Sequence, residues 1–280
     1  MLNETPRRST TRLTRRGRIA LIVSGALVAA AVGAVVVPLL LPGGGDQKPE
    51  ALTVPEGWRS GQVYEAVDKA LDIPAGTTKK AVPKAGLKLP GDAGGNPEGY
   101  LFPATYPLND KSTPASLLSY MVDTANKKFS GKQMTAGADL NTLNLYQAVT
   151  IASIVEAEAA DKQDMGKVAR VIYNRLDRGM PLQMDSTINY GLNRSTLTTS
   201  TKDTRSESPY NTYVRMGLPP TPISNPGAEA MKAAINPPQG NWLYFVTVKP
   251  GDTRFTADFT EQQKNVAEFN KAHASAKPSA

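Results

Sequence analysis

Cysteine is absent from the 280-residue chain, and histidine occurs once, as His273. The first absence excludes disulfides, thiolate zinc sites, iron–sulfur clusters and every cysteine nucleophile. The second excludes a Ser-His-Asp triad and the usual catalytic zinc sites, because both need imidazoles held in a folded site. His273 instead lies in a polar tail, KAHASAKPSA, that reads as unfolded. The Gly-rich runs PGGG and GDAGG lack a following strand–helix pattern and a Lys-Ser/Thr, so they are not phosphate loops. No metal or cofactor is expected. The chemistry left to the chain is that of carboxylates, hydroxyls, amides, Lys and Arg.

A formal net charge of +7 suggests nucleic acid, but its distribution does not. Residues 1–18 hold Arg7, Arg8, Arg12, Arg15, Arg16 and Arg18 against Glu4, so the arm carries most of the excess. The rest has no basic stripe with interleaved aromatics, and no nucleic-acid partner is expected. Ile19 to Leu41 then runs for 23 residues without a charge. At the helical rise this spans roughly 34 Å, enough for a bilayer core. The arginines before it place residues 1–18 in the cytoplasm and the body outside. The run is too long for the apolar region of a cleaved signal peptide, so residues 19–41 are expected to be a retained single-pass anchor in the cell membrane.

Residues 42–50 form a flexible linker, PGGGDQKPE. A small unit over 51–97 follows. ALTVPEGW suggests a short strand and a turn; Val63, Ala66, Val67, Ala70 and Leu71 have helical spacing after Ser60; a second short helix is interrupted by Pro83. Such a unit has little core of its own and is expected to lean on its neighbour. The turn-rich LPGDAGGNPEG leads into a larger domain, 98–271, and residues 272–280 are expected to be a disordered tail. Helices are predicted near 114–129, 143–160, 166–178 and 226–236, the last with Asn225 as N-cap and Pro226 at N1. A strand at 242–248 and an extended stretch around Phe255 complete an α+β class.

The most informative helix is LNLYQAVTIASIVEAEAADK. On a helical wheel Glu156 falls within the small and apolar stripe of Leu145, Ala148, Val149, Ala152 and Ala159. Glu158 falls on the polar side with Gln147 and Asp161. An inward carboxylate loses solvation and its pKa rises, as a general acid near neutral pH requires. The competing role for Glu156 is pairing with a buried arginine, Arg170 or Arg175. Nearby, VIYNRLDRGMPLQMDSTINYGL contributes Asn174, Arg175, Gln183, Asp185, Thr187 and Tyr190, and SPYNTYVRMGLPPTPISNPG adds Tyr210, Asn211, Thr212 and Tyr213. Amides, hydroxyls and tyrosines on rigid turns suit a sugar-binding cleft, with hydrogen bonds to hydroxyls and flat rings against pyranose faces. Taken singly, each also fits ordinary turn chemistry.

The blocks EGYLFPATYPL, ASIVEAEA, KVARVIYNRL, GMPLQMDSTINYGL, SPYNTYVRMGLPPTPISNPG and LYFV occur in this order. Together they resemble the endolytic murein transglycosylases (MltG/YceG-like) over about residues 51–270. The resemblance implies a LysM-like subdomain before a catalytic domain. It also implies cleavage of nascent peptidoglycan strands outside the membrane beside peptidoglycan synthases, with the first Glu of IVEAEA, Glu156, as the catalytic residue. The chain departs from the family at Thr253 and Gln262, where histidines are expected.

The family's lytic reaction implies one carboxylate as acid and then base, leaving 1,6-anhydro-MurNAc ends. A hydrolase would need a second carboxylate. Asp185 is the available candidate, against the simpler role of tethering its own turn. A muramidase and a non-catalytic wall-binding scaffold stay open as alternatives.

Overall fold

The structure is a computed structural model and describes residues 50–131, 134, 137, 143–194 and 199–274. The basic arm, the 19–41 run, linker residues 42–49 and tail residues 275–280 lie outside the described residues. Among the described residues no helix is long and apolar enough to cross a membrane.

Strand β1 (Ala51–Thr53) buries Leu52 between two exposed neighbours and pairs antiparallel with β2 (Thr105–Pro107), Leu52 opposite Tyr106. Between them stand α1 (Ser60–Ala70) and the short α2 (Thr77–Ala81). Helix α1 turns Val63, Tyr64, Val67 and Ala70 inward, as its spacing requires. Its Asp68 carboxylate accepts from the amides of Gly76 (2.6 Å) and Thr78 (2.8 Å) and from the Thr78 hydroxyl (2.6 Å), which fixes the start of α2. Pro83 stands in the 3-10 turn that ends it. The partner of β1 thus comes from beyond residue 97, and Leu52, Val54 and Val63 belong to the same hydrophobic cluster as Val149, Ile151 and Val168.

The larger part is helical. In α3 (Pro114–Phe129) the Thr113 hydroxyl caps the Ser116 amide at 3.1 Å and Pro114 occupies the first turn. Asn144 caps α4 (Leu145–Glu158) through the Gln147 amide at 2.8 Å. Tyr146 and residues 148–155 of α4 are all buried, so this helix is wrapped on every side. Helix α5 (Met165–Asp177), α6 (Asp185–Gly191) and α7 (Ala228–Ile235) pack around it. A hairpin of β3 (Tyr244–Lys249) and β4 (Asp252–Thr256), Phe245 opposite Phe255, is covered by α8 (Phe259–Ala274), whose Phe269 meets Val246 and Val248. Among the described residues, two separate two-stranded sheets set among helices make the class α+β, as expected.

Three elements differ from the sequence expectation. Helix α7 begins at Ala228 with Gly227 as N-cap, because the Asn225 side chain is engaged elsewhere. Residues 185–191 are helical where the sequence suggested only a turn. Helix α8 carries the backbone of His273 and ends at Ala274, inside the segment expected to be unfolded.

Candidate active site

Glu156 stands on the last turn of α4, half-buried where the β1–α1 turn meets the loop before α7. Its Oε2 accepts the Gly227 amide at 3.0 Å. Gly57, at φ +76°, lets that turn come close: a Cβ there would lie 3.5 Å from Glu156 Cγ. Asn225 locks the approach. Its backbone exchanges hydrogen bonds with the turn (Gly57 N–H to Asn225 O, 2.9 Å; Asn225 N–H to Trp58 O, 2.8 Å). Its side chain donates to Trp58 O at 2.8 Å and accepts from the Leu101 amide at 2.8 Å. Glu56 pairs with Lys162 at 3.0 Å, and its carboxylate lies so close to Gly227 that any Cβ there would collide with it. Glu56 and Glu156 therefore converge on one glycine.

Burial pushes the Glu156 carboxyl above its ordinary range, the Gly227 N–H opposes this, and the like charge of Glu56 and the cation of Lys162 act in opposite senses. Neither arginine proposed as its partner reaches it. Arg170 donates to the carbonyls of Pro237 and Pro238, and Arg175 to those of Leu243, Pro181 and Leu182.

Glu158 corrects the wheel. It was expected on the polar side, yet it is 4% exposed. Its Oε1 accepts from the Ser186 amide (3.1 Å) and hydroxyl (2.7 Å), and burial pushes it up to about 7. A helix buried all round has no solvent face for a wheel to find. Glu98 is also 4% exposed and raised to about 7 by burial; it accepts from the Ser60 amide (2.9 Å) and the Tyr190 hydroxyl (3.1 Å). Asp185, 3% exposed, accepts from Tyr213 (2.7 Å) and is raised to about 6. A general acid must touch its substrate. Of these four raised carboxylates, Glu156 is the one left open enough to do so.

The other sequence candidates fall into three groups and one separate residue. Thr187, Asn211 and Thr212 are at most 1% exposed and bond within the protein: Thr187 to Thr212 (2.9 Å), Thr212 to the Met184 amide (3.0 Å), Asn211 to Ser206 O (2.7 Å). Tyr190 and Tyr210 form a tilted ring pair at 4.9 Å, with Arg59 5.1 Å over Tyr190, close to Glu98. Arg175, Gln183 and Tyr213 line a cavity of about 320 Å³. Asn174 lies apart and holds the carbonyls of Gly240 (3.1 Å) and Trp242 (2.8 Å).

Asp185 belongs with Glu158, through its neighbour Ser186, and not with Glu156. A cavity of about 550 Å³ opens by Asn144 and Gln147 at the far end of α4 from Glu156. Thr253 and Gln262, which stand where histidines were expected, contact Thr247 and Phe245 in the β3–β4–α8 layer.

Sequence reasoning missed Glu56, Lys162, Gly227 and Glu98. Each lay within a quoted stretch without being singled out. Glu56 and Gly227 reach Glu156 only through long-range contact, for which no local signal exists.

A helical, mixed α+β body with a half-buried glutamate at the end of its central helix defines the class. The YceG-like family model matches residues 30–268, and the chain belongs to that family. An endolytic murein transglycosylase of Bacillus subtilis is 38% identical over 169 residues, 60% of this chain and 46% of that protein. One of Streptococcus pneumoniae serotype 2 is 34% identical over 260 residues, 82% of this chain and 47% of that protein. The chain thus spans about half the length of the curated relatives it matches. A crystal structure of a yceG-like protein from Listeria monocytogenes superposes with a TM-score of 0.68 at 28% identity, covering 77% of this chain and 75% of that one.

Proposed function

We propose that the chain is an endolytic murein transglycosylase, a lyase that cuts peptidoglycan strands between MurNAc and GlcNAc and leaves 1,6-anhydro-MurNAc ends. The carrying observation is Glu156: raised by burial, oriented by Gly227, and accessible where Glu98, Glu158 and Asp185 are not. Protonated Glu156 donates to the glycosidic oxygen as the C1–O bond breaks. The resulting carboxylate then takes the proton of the MurNAc C6 hydroxyl as that oxygen bonds to C1. Glu156 ends protonated again and no water is consumed.

A hydrolase needs a second carboxylate beside the first to serve as nucleophile or to activate water. Asp185 is sequestered on Tyr213, and Glu56 is tied to Lys162. That arrangement favours the lyase over a muramidase, and an oriented, raised carboxyl favours an enzyme over a binding scaffold.

The order β1, α1, α2, β2 with β1 paired to β2 supports a LysM-like unit. The 23-residue uncharged run after an arginine cluster supports a single-pass anchor, with residues 1–18 cytoplasmic and the body facing peptidoglycan and its synthases. Mass spectrometry of the products from uncrosslinked glycan tests the reading. Anhydro ends are expected; hydrated reducing ends, or no cleavage, would contradict it.

A further inference from the structure

Glu98 is a buried carboxylate that the reaction above does not use, and it lies where three elements meet. Its Oε1 accepts the backbone N–H of Ser60, the first residue of α1, at 2.9 Å. The same oxygen accepts Nδ2 of Asn225, in the loop before α7, at 3.3 Å. Oε2 accepts the hydroxyl of Tyr190, on α6, at 3.1 Å. Burying a carboxylate is costly, and an apolar side chain would fill the space at less cost. What the carboxylate adds is acceptor capacity: two oxygens serve three donors that lie 38, 92 and 127 residues away in the chain.

The Asn225 contact leads to Glu156. An acceptor at Glu98 and another at Trp58 O (2.8 Å) hold the Asn225 NH₂ between them, which turns its amide oxygen to the Leu101 N–H at 2.8 Å. The backbone of Asn225 fastens Gly57 and Trp58, and Gly57 lies against Glu156 Cγ. Two residues beyond Asn225, the Gly227 N–H reaches Glu156 Oε2 at 3.0 Å. Glu98 is therefore separated from the acid by one side-chain hydrogen bond, two residues of loop and one backbone hydrogen bond.

We propose that Glu98 is a positioning residue for strand cleavage: it holds Asn225 and the start of α1 so that Gly227 and the β1–α1 turn keep Glu156 aligned on the bond it cuts. The proposal rests on the glycan-cleaving reading above and names a group that keeps its acid in place. Glu98 itself, 4% exposed, touches no substrate. Removing its oxygens strips an acceptor from the Ser60 amide, frees the Asn225 side chain to turn and loosens Gly227. That loosening has a definite sign at Glu156. The Gly227 N–H favours the carboxylate, so losing it raises the Glu156 pKa further.

The charged and titratable groups beside Glu98 are Arg59, 5.1 Å over the Tyr190 ring, Tyr190 itself, and Tyr64 on α1. Burial pushes Glu98 up to about 7, so its own titration overlaps that of Glu156. The test therefore compares Glu98→Leu with Glu98→Gln, neither of which ionises, in the full chain. Anhydro ends released from uncrosslinked glycan give kcat and KM, and thermal melts give the folded fraction. In Glu98→Leu, kcat per folded protein should fall at least about tenfold while KM stays within about twofold, as misalignment of an acid requires. Glu98→Gln keeps an oxygen for Ser60 and Asn225, and its NH₂ can donate to the Tyr190 oxygen, so it should recover most of kcat. The basic limb of the pH–rate profile should lie at higher pH in Glu98→Leu than in Glu98→Gln, by up to about one unit for one lost hydrogen bond to a carboxylate.

If Glu98→Leu does not fold, Glu98→Asp decides the matter, since it keeps the charge but draws the oxygens back by one methylene. A lower kcat at unchanged KM in that variant supports the positioning role, and an unchanged kcat overturns it. An unchanged kcat in folded Glu98→Leu, a loss confined to KM, an equal loss in Glu98→Gln, or coincident basic limbs would also overturn it. Those results would leave untouched the anhydro ends formed by the unmutated protein, which test the activity separately.

Discussion

Glu156 works, on this account, in its protonated form, so activity is present below its pKa and is lost as pH rises through it. Glu56 and Lys162 bracket that value from outside the helix. Glu229, at the start of α7, is a further charge facing Lys162. Glu56→Gln removes a like charge and frees Lys162 to favour the carboxylate, so the basic limb of the pH–rate profile should move to lower pH. Lys162→Met should move it to higher pH. Lys162 is largely solvated and Glu56 is partly so, hence each shift should be about half a unit and should shrink in high salt. Rate profiles of the two variants decide this, and a shared direction would show that the pair does not act on Glu156.

The same residue shows what the sequence could carry. The wheel set Glu156 inward and Glu158 outward, whereas Glu156 is only half-buried and Glu158 is sealed, because α4 is wrapped on almost every side and its two glutamates have no common solvent face to declare them.

At the scale of elements, the site is a junction. The β1–α1 turn closes over the end of α4, and Asn225 fastens it through two backbone hydrogen bonds and one from its side chain, whose oxygen also accepts the Leu101 amide. Asn225→Ala should leave the Leu101 amide unsatisfied and release the turn. A loss of about 1–3 kcal/mol in chemical denaturation is expected, with cleavage reduced as well. A variant with unchanged stability and rate would mean that the two backbone hydrogen bonds and packing hold the turn without the side chain.

This junction also explains which elements were legible. Helix α3 was bounded correctly because Thr113 and Pro114 are local signals that nothing overrides. Asn225 and Pro226 gave an equally good local signal for a helix start, but tertiary contacts took both the Asn225 side chain and the Gly227 amide, and α7 begins two residues later. Helix α6 was hidden in turn-like composition because its polar residues, Asp185, Thr187 and Asn189, are buried by partners distant in sequence. The strands of the hairpin were found, since WLYFVTV has a local pattern that needs no partner to recognise.

Over the whole molecule, buried carboxylates set an unusual dependence of stability on pH. Glu98 and Glu158 are raised to about 7 and Asp185 to about 6, and Glu156 is raised as well. A raised folded-state pKa contributes stability that is full below the unfolded value and is lost as pH rises through the folded one. Asp68, Asp203, Asp252 and Glu268 are shifted down, so their contribution is lost only in strong acid. The melting temperature should therefore be highest near pH 5 and fall steadily towards pH 8. A flat or rising trend over that interval would contradict the burial of these four groups.

The central claim is that one carboxylate performs both proton transfers, and Glu156→Gln tests it most directly. Gln keeps the shape and can still accept the Gly227 N–H, but it cannot deliver a proton to the leaving oxygen. Cleavage of uncrosslinked glycan should fall by at least about 10³–10⁴-fold. The melting temperature should hold or rise, because a partly desolvated carboxylate becomes a neutral amide. Glu158→Gln, measured beside it, should keep forming anhydro ends, since that side chain is sealed against Ser186. A Glu156→Gln protein that still releases anhydro-ended strands at a comparable rate would contradict the account.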